Sequence, residues 1–350
     1  MGYTERLLDD VRAQLAPDDA VLKEARERRD LVRSAAESFH GTSGSFGSGS
    51  LAHATANCPI HERDRGLDAD CGVKLDRRSQ PTLGPDSPDN DGPTAIVEEV
   101  RNHLRPKVLA EYPLAAFKIT KRAILIKFNA PLLTGEDPTV DLIVGLERRN
   151  KPGLWIPNTE AERWDPSHPE KHTQLLTADP KDLRVVRARV IRLAKAENKR
   201  AGTPPLCSFN LEALGLMFVE RGMDEPLALQ TLWARGADDL ERRLTPDPAG
   251  VSPPIKVTDR QTAADRLRMA AHILAMALAV DDDERLARKR LARLWPDFIA
   301  VEPGGTTKAR TAARLRSRSE MSITPAGMLS TGAGQQLKSV RSFGDPRLAG

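Results

Sequence analysis

The sequence predicts an α+β chain: a mixed α/β first part, an all-helical second part and a polar, basic tail. Three observations carry this reading. Short alternating apolar runs at 67–75, 123–128 and 140–144 are interleaved with helical stripes. After Trp155 only helical stripes recur, and beyond residue 303 large apolar residues become scarce. The expected divisions are 1–180 for the mixed domain with its N-terminal helices, 181–302 for the helical domain and 303–350 for a disordered tail.

The first forty residues read as helix, broken at Pro17. Val21, Ala25, Val32, Ala36 and Phe39 then recur at helical spacing, so a long helix delivers the chain to Phe39. Residues 41–50 are almost entirely Gly, Ser and Thr around Phe46, which by composition alone describes a flexible linker. Residues 67–75 read as a strand, 80–93 as a Pro, Asp and Gly-rich surface loop, 96–109 as a helix, and 123–128 and 140–144 as strands. In the second part, Leu183, Val186, Val190 and Leu193 make one stripe, 211–219 another, Leu267, Ala270, Ala271, Leu274 and Leu278 a third, and Leu291, Leu294, Trp295 and Phe298 a fourth. His168 and His172 straddle Pro169, which favours a solvated loop over a ligand pair.

Composition narrows the function. The longest apolar stretch, 270–280, is interrupted by His272 and is shorter than the ~18 residues a spanning helix needs. The N-terminus lacks the basic-then-apolar order of a secretory signal, and Cys58, Cys71 and Cys207 are too scattered for a disulfide framework, so a cytoplasmic location is expected. The formal net charge is +4, but eight bases against two acids give residues 303–350 a charge of +6, leaving −2 on residues 1–302. The basicity belongs to the tail, and a large nucleic-acid groove is not expected.

The chemistry concentrates in three aspartates. Asp68 and Asp70, two apart on a strand, project from one face with Cα atoms roughly 6.6 Å apart. Asp141 stands alone in the apolar run 140–146. Such carboxylates can share two divalent ions for phosphoryl or nucleotidyl transfer. A lone carboxylate among apolar residues is costly unless a cation compensates it. A zinc alternative would use His53, Cys58, His61 and Cys71, although their spacing is looser than zinc sites favour.

The run Ser43-Gly44-Ser45-Phe46-Gly47-Ser48-Gly49-Ser50, followed by Leu67-Asp68-Ala69-Asp70 and Val140-Asp141-Leu142, resembles the signature of the DNA polymerase beta-like nucleotidyltransferase superfamily. Gly153-Leu154-Trp155-Ile156-Pro157, Arg192-Leu193-Ala194-Lys195-Ala196 and Leu206-Cys207-Ser208-Phe209-Asn210-Leu211-Glu212 narrow the resemblance to the bacterial cGAS/DncV-like nucleotidyltransferases (CD-NTases) of the CBASS anti-phage system. The resemblance spans about residues 5 to 300. Ser50 stands where the family usually has Thr, and the helix of Lys195 continues Ala196-Glu197-Asn198 where Lys-x-Trp is more usual.

The resemblance implies a nucleotidyltransferase core with a long N-terminal spine helix and an oligoadenylate-synthetase-like helical C-terminal domain. It implies that Asp68, Asp70 and Asp141 are catalytic and hold two Mg²⁺ (or Mn²⁺) ions, Asp141 serving the ion that activates the acceptor 3′-hydroxyl. The triphosphate of the NTP donor, ATP or another, would lie over Gly44 and Ser45, with Lys195 and Ser208 on its far side and Phe209 stacked on the base. The activity implied is synthesis of a cyclic di- or trinucleotide read by a downstream effector. Gly350 would be a conjugation point for an E1/E2-like protein. Two alternatives stand beside this: transfer of nucleotides to RNA, a protein or a small molecule, and a non-catalytic nucleotide-binding module.

Overall fold

The computed structural model describes residues 2–59, 66–178, 180–200 and 202–302, together with 305, 307, 310, 322–323, 329–330 and 335–336. Pro17 divides the N-terminal helical run as expected. Helix α1 (Tyr3–Leu15) stops before it, and α2 (Asp19–Glu37) starts behind Asp18, whose carboxylate accepts from Ala20 N at 2.8 Å. The two helices fall in different compact units: residues 17–175 and 249–252 form one, while residues 2–16, 176–248 and the described residues from 253 to 336 form the other.

The first unit is a sheet with its two long helices packed on one face. Its strands are β1 (Thr42–Gly47), β2 (Asp68–Leu75), β3 (Ala116–Ile119), β4 (Ile124–Lys127), β5 (Thr139–Glu147), β6 (Leu154–Asn158) and β7 (Arg163–Ser167). Their order is β1-β2-β5-β4-β3, with β6 pairing β5 and β7 completing a hairpin. Among these strands β2 and β5 run parallel and the other pairs antiparallel. Strict alternation decides which face is buried. Ala69, Cys71, Val73 and Leu75 of β2 and Val140, Leu142, Val144 and Leu146 of β5 are buried, packed with Val32 and Ala36 of α2 and with Val97, Val100 and Leu104 of α4 (Thr94–Glu111). The residues between them, Asp68, Asp70 and Asp141 included, therefore lie on the opposite face.

The expected linker over 41–50 is instead the edge strand β1 followed by the single-turn helix α3 (Gly49–Ala52). Composition misleads here because the strand is held by its ladder with β2 and by Phe46, whose ring lies over Gly72, where a Cβ would come within 2.0 Å of it. The expected loop at His168 is also a helix, α5 (Pro169–Thr177). Proline is well placed at a first helical position, where no N–H is required, and His172 is buried on the following turn.

The second unit is helical throughout its long elements: α1, α6 (Lys181–Lys199), α7 (Ser208–Phe218), α8 (Glu225–Arg242), α9 (Arg260–Leu278) and α10 (Glu284–Leu291). Asp224, Asp259 and Asp283 cap the last three, accepting from Leu227 N, Thr262 N and Leu286 N at 2.9–3.0 Å. Trp233 and Trp295 pack with ring centroids 5.9 Å apart in the core, and Trp295 Nε1 donates to Leu193 O at 3.2 Å. Three dipeptides farther on, Ser322–Ile323, Leu329–Ser330 and Gln335–Gln336, pair antiparallel. The expectation of a disordered tail over 303–350 otherwise lies outside the described residues.

Candidate active site

The parallel register of β2 and β5 sets Asp70 opposite Asp141 and Asp68 opposite Thr139. Side chains at paired positions emerge on the same side, and neighbouring strands are about 4.8 Å apart. The three carboxylates are thus gathered on the face that the packed helices do not cover. Thr139 Oγ1 donates to Asp68 Oδ1. The Asp70 carboxylate lies against α3: a Cβ on Gly49 would fall 1.7 Å from Asp70 Oδ2, and Gly49 has φ +70°. Ser48 N donates to Asp70 O at 3.1 Å, which holds the start of α3 to β2.

Asp141 is the electrostatically stressed member. Its Oδ1 is buried with no hydrogen-bond partner among the described residues. Burial, and then the negative charge of Asp68, push its pKa from 3.8 to about 6. A carboxylate left in that state calls for a cation. Hard oxygen ligands of this kind suit Mg²⁺ or Mn²⁺, and by this test the residues fit the ions that the sequence implies. Among the described residues no three His, Cys, Asp or Glu side chains already enclose a point where an ion would sit. Of the zinc alternative, Cys71 lies on the core face with its thiol pKa pushed up by burial and by Asp70, which disfavours the thiolate a metal needs. His53 Nε2 is 3.1 Å from Thr173 Oγ1, and His61 is outside the described residues.

The Gly-Ser pair is divided by the sheet. Gly44 pairs with Lys74, on the face of the carboxylates, whereas Ser45 pairs with Val73 and turns its hydroxyl toward α2. There Arg33 donates to Ser45 Oγ from Nε at 3.0 Å and from a terminal nitrogen at 2.8 Å. Lys195, Ser208 and Phe209 belong to the helical unit. Lys195, on α6, is buried, with Nζ 2.7 Å from Glu212 Oε1 of α7. Ser208 is exposed and Phe209 half-buried on the first turn of α7. A polar frame fixes that turn: Asn198 Nδ2 donates to Leu206 O at 2.7 Å, and Asn210 Oδ1 accepts from Cys207 N at 3.3 Å. Gly350 lies outside the described residues.

Sequence reasoning passed over Thr139, Gly49 and Arg33. Thr139 was open to the i, i+2 rule applied back from Asp141, and Gly49 was hidden among similar glycines. Arg33 is one of many arginines on a charged helix, and nothing in the sequence distinguishes it.

No protein-family model matches the sequence, and no curated protein matches it. Solved structures do. The Bradyrhizobium diazoefficiens CD-NTase CdnG, in complex with GTP, matches with a TM-score of 0.61 at 16% identity, over 89% of this chain and 97% of that one. CdnC of E. coli MS115-1, with ATP, gives 0.61 at 17% identity over 85% and 98%. The chain has the CD-NTase fold. The Vibrio cholerae DncV cyclic AMP-GMP synthase, in complex with the linear intermediate 5′ pppA(3′,5′)pG, is more distant, with a TM-score of 0.55 at 12% identity over 85% and 87%. CD-NTase likeness thus extends over both compact units.

Proposed function

We propose that this chain is a cyclic oligonucleotide synthase of the CD-NTase kind, joining NTPs into a cyclic di- or trinucleotide and releasing pyrophosphate. The observation that carries the reading is Asp141 beside Asp68 and Asp70 on a CD-NTase-like sheet, a half-buried carboxylate whose buried Oδ1 has no hydrogen-bond partner among the described residues and whose pKa is raised to about 6. Asp68, Asp70 and Asp141 would hold two Mg²⁺ or Mn²⁺ ions, which when bound neutralise phosphate charge and favour the ionised acceptor hydroxyl. The chain's own part is positioning. Gly49 leaves room for Asp70, Thr139 orients Asp68, and the parallel register presents Asp141 to the same point. Gly44, Ser45, Lys195, Ser208 and Phe209 are the proposed nucleotide-binding residues. The DncV complex with a linear intermediate supports a reaction in two rounds, the second closing the ring.

On this reading the product signals phage infection in the cytoplasm to an effector, and an E1/E2-like protein conjugates the chain through Gly350 and so primes it. No helix among the described residues is long and apolar enough to cross a membrane. The test is incubation of the purified protein with each NTP and Mg²⁺ or Mn²⁺, following pyrophosphate release and phosphatase resistance. A resistant product is expected, whereas a growing linear ladder would mark RNA-type transfer instead.

A further inference from the structure

The Ser45 hydroxyl has a bonding state that the protein leaves incomplete. A hydroxyl accepts through two lone pairs and donates one proton. Both acceptor positions are taken by Arg33, whose Nε and terminal nitrogen lie 3.0 and 2.8 Å away. Among the described residues no acceptor lies within reach of the hydroxyl's own proton. Arg33 is itself only partly satisfied. Its nearest carboxylate, Asp30 Oδ1, is 3.8 Å from the other terminal nitrogen, beyond hydrogen-bond length, and the side chain is 31% exposed. Arg29, one turn earlier on α2, is half-buried on the same side and donates to Asp30 Oδ1 from Nε at 3.0 Å and from a terminal nitrogen at 2.9 Å. β1 is the edge strand, and among the described residues no further strand covers its outer side.

Two donors and an unused hydroxyl proton, converging at the sheet edge on the side opposite the three carboxylates, call for an anionic oxygen that reaches around that edge. We propose that Arg33 is a positioning residue for the donor triphosphate, acting through Ser45. By filling both lone pairs it turns the Ser45 proton outward onto a β- or γ-phosphate oxygen, and its own charge offsets the phosphate charge. Gly44, without a side chain on the opposite face, lets the phosphate chain pass over the β1 edge from the carboxylates. This deepens the nucleotidyltransferase reading and rests on it for the identity of the anion.

The test is calorimetric binding with Mg²⁺ of α,β-methylene-ATP, ADP, AMP and inorganic phosphate to wild type, Arg33→Ala, Arg33→Lys, Ser45→Ala and the Arg33→Ala/Ser45→Ala double variant, with thermal melts to check folding. Arg33→Ala should weaken the triphosphate analogue about tenfold to a hundredfold, as expected for loss of charge-assisted hydrogen bonds, and leave AMP unchanged. Arg33→Lys should recover only part of the loss, because a point charge does not fill both lone pairs. The double variant should be no weaker than the worse single variant, the sign of one shared interaction. Equal losses for AMP and the triphosphate, additive losses in the double variant, no loss, or an effect confined to inorganic phosphate would each overturn the proposal. The two readings can fail separately. If the binding pattern holds but the wild type makes no cyclic product, the synthase reading falls and the triphosphate site stands. If the wild type cyclises NTPs and Arg33→Ala does so with unchanged KM, the role of Arg33 falls.

Discussion

At the scale of single residues, Asp141 makes the sharpest claims. Its folded-state pKa is raised above the ordinary carboxylate value, so the ionised form costs the fold stability. The cost is full above about pH 6 and fades as pH falls toward 3.8. Asp141→Asn should therefore melt higher than wild type in EDTA at pH 7.5, by about 2–4 °C, and the gap should close near pH 4. Saturating Mg²⁺ should narrow the gap at pH 7.5 by stabilising only the wild type. A variant that melts lower than wild type at pH 7.5 would show that the carboxylate is not stressed. Gly49 gives a second residue-scale test. Its Ala variant places a Cβ where Asp70 Oδ2 now lies, and a displacement of about 1 Å in a catalytic group can cost on the order of 100-fold in rate. Initial rates of Gly49→Ala should fall by about that factor with an unchanged circular dichroism spectrum, and a wild-type rate would mean that Asp70 adapts freely. The aspartates were legible in the sequence because strand alternation is a strong rule. The Gly49 contact was not, because it depends on where α3 comes to rest against β2.

At the scale of elements, α2 is the anchor of the sheet unit. Arg28, fully buried, donates to Glu24 at 2.8 Å, to Pro138 O and Ala130 O at 2.6 Å each, and pairs with Asp137. Its guanidinium lies 4.6 Å from the centre of the Phe128 ring, and Tyr112 Oη donates to the same Glu24 carboxylate at 3.0 Å. One side chain thus ties the helix to the segment leading into β5, the strand of Asp141. Removing one partner of such a buried network leaves the others unpaired, and Arg28→Ala should cost about 3–5 kcal/mol by denaturant titration. A loss within about 0.5 kcal/mol would place the anchor elsewhere. The helical stripe of α2 was readable from Val21, Ala25, Val32 and Ala36, but a buried arginine breaks the rule that charges face water. The same limit explains β1 and α5. A Gly-Ser run becomes a strand because β2 supplies its partner, and Pro169 opens a helix because the chain meets it at the first turn.

At the scale of the whole molecule, the chain divides its chemistry between two compact units. The carboxylates lie in one, and the proposed Lys195, Ser208 and Phe209 in the other. The mixed and helical halves were legible because their apolar periods differ. That α1 belongs with the helices was not, since a helix of this amphipathicity can pack on either. Arg12 Nε, 2.7 Å from Glu225 Oε1, marks its place. Within the helical unit the Lys195–Glu212 pair is buried, so Lys195→Ala should destabilise more than an exposed lysine substitution, by about 3–5 kcal/mol, and Lys195→Ala/Glu212→Gln should recover part of that loss. A neutral Lys195→Ala melt would show that the pair opens at little cost.

Asp68, Asp70 and Asp141 are proposed to form a centre that closes nucleotides into a ring. The most direct measurement is mass spectrometry of phosphatase-treated reactions of NTP mixtures with Mg²⁺, comparing wild type with Asp70→Asn of matched thermal stability. A phosphatase-resistant cyclic di- or trinucleotide is expected from the wild type and none from the variant. The same product from Asp70→Asn, or only linear or absent products from the wild type across all four NTPs, would contradict the proposal.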